Sequence, residues 1–130
     1  EKLEGFLATR EYLAARYDEL LSEVDGVQPV DRGPAGLSWR HALHLYQVVV
    51  AGPAPRRDTI VAQVQQEGVG AGVHYIGLNH HPAYRSDEPF AVSDWASEAL
   101  ITLPLHVGLD DGDLGRVVRT LETALAATRE

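Results

Sequence analysis

Six histidines, at positions 41, 44, 74, 80, 81 and 106, are the side chains of this 130-residue chain that first suggest chemistry. His74, His80 and His81 fall close together, and neutral imidazole is a good metal ligand. Neighbours in sequence splay apart, however, and no spacing matches a zinc signature, so separate hydrogen-bonding or packing roles are favoured over a metal site. Tyr75 follows His74. An imidazole and a phenol side by side can hydrogen-bond sugar hydroxyls or phosphate oxygens, and Tyr can stack on a base. On residue type alone, a packed Tyr75 and a His74 bonded to a loop carbonyl are the commoner outcome.

Other candidate groups carry weaker signals. Arg56-Arg57-Asp58 could receive an anion at a helix start, although two solvated arginines and a capping Asp58 suit the pattern better. Asp110, Asp111 and Asp113 are spaced as the cap and first turn of a helix rather than as a cation site. Gly68, Gly70 and Gly72 alternate without the strand-before-helix context of a phosphate loop. No serine sits in a nucleophile elbow. There is no cysteine, which removes thiolate nucleophiles, disulfides and Cys-ligated zinc. Lys2 is the only lysine, and it lies at the extreme end of the first predicted helix. Chemistry that needs a buried Schiff-base lysine therefore cannot be completed within these residues.

The elements that must position these groups form one domain. At 130 residues and 45% hydrophobic, the chain can bury one core but hardly two. Its formal net charge is −8, and protonating all six histidines would still leave −2. Nonspecific nucleic-acid binding and attraction to an anionic membrane both need clustered cations, which such a surface lacks. No apolar run approaches the ~18 residues of a membrane-spanning helix, and the first residues carry no secretory pattern. The absence of Cys fits a reducing, cytoplasmic setting. The absence of Met, even at position 1, suggests a segment of something longer.

Residues 1–25 read as an amphipathic helix with apolar side chains at three- and four-residue steps, interrupted by Arg10 and ended by Gly26. Lacking a cap signal, it reads as the tail of a helix that began upstream. Residues 27–30 predict a short strand and residues 41–50 a longer one. In the latter Ala42, His44, Tyr46, Val48 and Val50 would share a face. Asp58 predicts the cap of a helix running to 67 and closed by Gly68; residues 70–75 predict a strand. Residues 77–89 form a long polar loop, the first place to look for a site. Ser93 predicts the cap of a short helix, 101–104 a strand with Pro104 at its end, and Asp110-Asp111 the start of a last helix. This order predicts an α+β fold, a small and mostly antiparallel sheet with helices packed on one face.

Several phrases, in order, resemble one family. They are Tyr12-Leu13-Ala14-Ala15-Arg16-Tyr17-Asp18-Glu19-Leu20-Leu21, His41-Ala42-Leu43-His44-Leu45-Tyr46 and Arg57-Asp58. Gly72-Val73-His74-Tyr75, His81-Pro82-Ala83-Tyr84, Leu103-Pro104-Leu105-His106 and Leu109-Asp110-Asp111-Gly112-Asp113 follow. Each is weak alone; their order and spacing resemble the C-terminal small domain of the DegT/DnrJ/EryC1/StrS aminotransferases. These are fold-type-I, pyridoxal-phosphate-dependent enzymes that aminate keto-sugars.

The resemblance implies that residues 1–130 are a single C-terminal domain, with residues 1–25 the end of a long interdomain helix. It implies that a separate N-terminal domain holds the pyridoxal phosphate, so that no catalytic, cofactor-binding or metal-binding residue is expected here. The implied substrate-binding residues are His74, Tyr75, Asn79, His81 and Tyr84, facing a nucleotide-sugar, with His44 and Tyr46 in the supporting sheet. The implied reaction transfers an amino group, commonly from glutamate, to a nucleotide-linked keto-sugar in polysaccharide or natural-product sugar biosynthesis. Some members dehydrate instead. The enzyme would be a cytoplasmic homodimer, and this segment alone inactive. The family often has Pro where Gly77 stands. Two other readings stay open: a free-standing module that binds a nucleotide-sugar or a partner without catalysis, and a metal-dependent enzyme using the histidines.

Overall fold

The computed structural model describes residues 2–33, 39–52 and 54–128. Helix α1 (Leu3–Leu21) buries Leu13, Ala14, Tyr17 and Leu21, the stripe expected from their spacing. Gly26, at φ +84°, turns the chain into β1 (Val27–Pro29). Strands β2 (Tyr46–Val50) and β3 (Leu100–Leu103) complete a three-stranded sheet of order β1-β2-β3, antiparallel throughout. The register places Val27 opposite Val50, Val48 opposite Ile101 and Tyr46 opposite Leu103. All six are buried, and they form the inner face on which α1, α2 (Ala54–Gln66) and α4 (Asp111–Ala127) pack. The outer face carries the half-buried Gln47 and Val49. Helix α3 (Ala91–Ala99) packs on α2 and leads directly into β3. The architecture is the expected α+β one.

Five expectations need correction. The strand predicted for 41–50 starts only at Tyr46. Leu43 takes a left-handed conformation (φ 47°), and its N–H bonds His41 Nδ1 at 3.0 Å. Leu43 is consequently buried while Ala42 and His44 are exposed, so His44 does not belong to the sheet. Charged tethers hold this segment on α1 instead. Arg40 grips Glu11 through two hydrogen bonds (2.5 and 2.8 Å) and Glu4 through a third (2.6 Å).

The strand predicted for 70–75 reduces to one bridge, with reciprocal bonds of 3.0 and 2.7 Å between Gly72 and Thr102. Helix α2 begins at Ala54, so Asp58 lies inside it and is not its cap. The preceding Arg57 is not solvated but 6% exposed, bonding Asp58 at 2.7 Å and the carbonyl of Leu100 at 2.9 Å. Ser93, finally, is the third residue of α3 and does not cap it; Asp94 accepts the N–H of Phe90 at 3.0 Å instead. Gly68 (φ +75°) does follow the end of α2, and Asp110 caps α4 in a reciprocal capping box with Asp113.

Candidate functional site

Residues 72–97 start from the β3 edge of the sheet and double back as α3. Three tethers hold the first part of this stretch. The Gly72–Thr102 bridge fixes its start to β3. One step on, the side-chain amide of Gln47, from the outer face of β2, donates to the carbonyl of His74. The N–H of Gly77 donates to Ser97 Oγ at 2.8 Å, and that hydroxyl donates in turn to Ser93 O at 2.7 Å. Between the second and third tethers, Tyr75 projects into solvent, 74% exposed.

His74 itself is half-buried. Its ring meets that of Tyr75 edge-on at 5.0 Å, and its Nδ1 is buried without a hydrogen-bond partner. The imidazole thus backs the exposed phenol and holds one polar atom in reserve.

The predicted loop is two short 3₁₀ turns, Leu78–His80 and Pro82–Tyr84. Asp94 organises the first. Its Oδ1 accepts Asn79 Nδ2 at 2.8 Å and lies 2.8 Å from His80 Nε2. The Asn79 amide, foremost, holds the Asp94 carboxyl below its ordinary range, and the Phe90 N–H and His80 act in the same direction. Gly77 shows how tightly this corner is filled. Its backbone (φ −54°, ψ 140°) would suit Pro. A Cβ there would lie 2.4 Å from Ser93 Oγ and 2.6 Å from Asn79 Oδ1, and a Pro would lose the bond to Ser97.

Of the five substrate residues implied by the resemblance, the structure pairs His74 with Tyr75. Asn79 and Tyr84 line one open groove of about 390 Å³ with Leu78, Ser86, Phe90 and Ser93. Tyr84 is 67% exposed on its rim. His81 is exposed and joins the two turns through its backbone: its N–H reaches Leu78 O at 3.0 Å and its carbonyl accepts Tyr84 N–H at 2.9 Å. Sequence reasoning missed Gln47, Asp94 and Ser97, whose roles depend on side chains meeting a distant loop. Only the polar run 77–89 hinted that something must organise it.

The described residues gather no cluster of three His, Asp or Glu able to hold a metal. Nor do these residues fit pyridoxal phosphate. Lys2, the single lysine, is exposed at the N-cap of α1, and the groove holds only neutral and aromatic side chains. Among the described residues no helix is long and apolar enough to cross a membrane.

Comparison with known proteins gives a consistent result. The family model of the DegT/DnrJ/EryC1/StrS aminotransferases matches residues 1–122. The dTDP-4-dehydro-2,3,6-trideoxy-D-glucose 4-aminotransferase of Saccharopolyspora spinosa is 31% identical over 125 residues, 95% of this chain but 31% of that protein. The chain therefore spans about a third of that relative's length. Among solved structures, the aminotransferase TlmJ of Streptoalloteichus hindustanus superposes with a TM-score of 0.88 at 30% identity, over 98% of this chain and 34% of that one. Spr1654 of Streptococcus pneumoniae, in its PLP form, shares the fold (TM-score 0.85, 24% identity, 99% of this chain and 33% of that one).

Proposed function

The chain belongs to the DegT/DnrJ/EryC1/StrS aminotransferase family, and on that premise we propose that residues 1–130 are the C-terminal small domain of a sugar aminotransferase. In this reading residues 1–25 are the end of a helix shared with a cofactor-bearing N-terminal domain. Leu3 (64% exposed) and Phe6 (42%) on α1 support it, since a neighbouring domain would cover them. The complete enzyme is a cytoplasmic homodimer that passes an amino group, from glutamate, to a nucleotide-linked keto-sugar.

Pyridoxal phosphate would supply the electron sink for that transfer and would be held elsewhere. What these residues supply is a wall. Tyr75, His81 and Tyr84 offer donors, acceptors and ring faces to sugar hydroxyls, phosphate oxygens and a base. His74 stiffens Tyr75, and Asn79 fixes the turn between them. The wall takes no part in bond-making; it binds and orients. The observation that carries this reading is the exposed Tyr75 ring seated on His74, within a segment tethered to the sheet and α3 at three points. The relative from Saccharopolyspora spinosa, named for a dTDP-sugar, supports a nucleotide-linked substrate.

The test compares amine transfer to a dTDP-keto-sugar by this chain alone and by a longer polypeptide in which it follows a lysine-bearing domain. Turnover confined to the longer polypeptide is the expected result. Turnover by neither, with saturable nucleotide-sugar binding by the chain alone in calorimetry, would instead make it a free-standing binding module.

A further inference from the structure

Asp94 does more than begin a helix. One of its bonds, to the N–H of Phe90 at 3.0 Å, is ordinary work for a first-turn carboxylate. The other two contacts reach back to Asn79 and His80, both at 2.8 Å, in a turn that α3 also holds through Ser97 and packs with Ser93. Helix α3 thus grips both ends of residues 77–80: Ser97 holds the N–H of Gly77, and Asp94 holds the side chains at the far end. The exposed rings of Tyr75 and Tyr84 flank this turn on either side. Neither ring is fixed by a hydrogen bond of its own hydroxyl to the turn, so the backbone between them sets their spacing.

We infer that Asp94 is a positioning residue, which fixes the Asn79–His80 turn and through it the spacing of Tyr75 and Tyr84 across the substrate-facing wall. Asp94 does not touch the substrate. This rests on the reading of that wall given under Proposed function. The Asn79 amide holds the Asp94 carboxyl below its ordinary range, so the tether is a carboxylate throughout the neutral range.

Two arms test it. In the 130-residue chain, ¹⁵N NMR of Asp94→Ala follows the Asn79 side-chain amide and the His80 imidazole. Both signals should move, and amide exchange at residues 78–80 should quicken by about tenfold, while exchange in β2 and α4 stays unchanged. Asp94→Glu, which keeps the carboxylate, should restore most of the difference; Asp94→Asn keeps the size and guards against a folding defect. In the longer enzyme, loss of a charge-assisted tether should raise KM for the nucleotide-sugar by about tenfold with kcat within about twofold.

Unmoved Asn79 and His80 signals in Asp94→Ala would overturn the inference. So would a fall in kcat at constant KM, which would mark a group acting at the reacting atoms. An enzyme without activity on any nucleotide-sugar would sink the proposed function instead, and the NMR arm would still decide the role of Asp94.

Discussion

The rings of Tyr17 and Tyr46 lie 4.6 Å apart between centroids, tilted by 33°, and join α1 to the central strand. Both hydroxyls are used: Tyr17 donates to Pro104 O at 2.9 Å and Tyr46 to Asp18 Oδ1 at 2.7 Å. Arg32 pairs with the other oxygen of Asp18 and lies over the Tyr46 ring at 5.6 Å. These groups form a polar seam beside the apolar core cluster.

Burial pushes the pKa of both phenols above the ordinary phenol value, and for Tyr46 the Asp18 carboxylate adds to it. A phenol held neutral by the fold stabilises it fully below the ordinary phenol value of about 10, and that stability is lost as pH rises further. Alkaline titration should therefore show loss of near-ultraviolet circular dichroism above about pH 10, together with a cooperative step of phenolate absorbance. Phenolate formation at all five tyrosines with the dichroism intact would contradict this assignment.

Arg57 gives a prediction opposite to the one its sequence setting suggests. A solvated arginine would cost at most about 0.5 kcal/mol to remove. Buried between Asp58 and Leu100 O, it should cost about 2–4 kcal/mol as Arg57→Ala, because a carbonyl loses its partner and a cavity opens between α2 and β3. Arg57→Lys should recover only part, since an ammonium cannot reproduce the fork. Urea denaturation of the three proteins measures this directly.

Gly77 is confined by space and not by backbone conformation. Gly77→Ala should destabilise the chain by about 1–3 kcal/mol and displace the Leu78–His80 turn, because Ser93 Oγ and Asn79 Oδ1 already fill the position of the methyl. Ser93→Ala should relieve much of that cost in the double variant, a coupling that a thermodynamic cycle reads. Additive effects would show that the corner is looser than its distances indicate.

Legibility from sequence tracked how local each feature is. Leu114, Val117, Val118, Leu121 and Leu125 announce α4 by helical spacing, and Asp110 with Asp113 announces its start; all of this is observed. Tyr46, Val48 and Val50 alternate as a strand should, and they are buried. The alternation seemed to continue back to His41 because the tethers that break it, Arg40 to Glu4 and Glu11, join residues far apart in sequence. The helix at Ala54 was read too late because Asp58 offers a cap signal, although a helix tolerates Pro in its first turn. The polar run after Tyr75 marked the place of the candidate site. Its supports were not legible, since Gln47, Asp94 and Ser97 act through single side chains that no periodicity marks.

In the proposed function these residues form a wall beside an amine-transfer centre whose reactive lysine lies in another domain. Incubating the 130-residue chain with pyridoxal phosphate, glutamate and a dTDP-keto-sugar, assaying the sugar product, and then reducing with borohydride and mapping peptides tests this most directly. No stoichiometric pyridoxyl adduct on Lys2 and no aminated sugar are expected. One adduct per chain on Lys2, accompanied by aminated product, would contradict it.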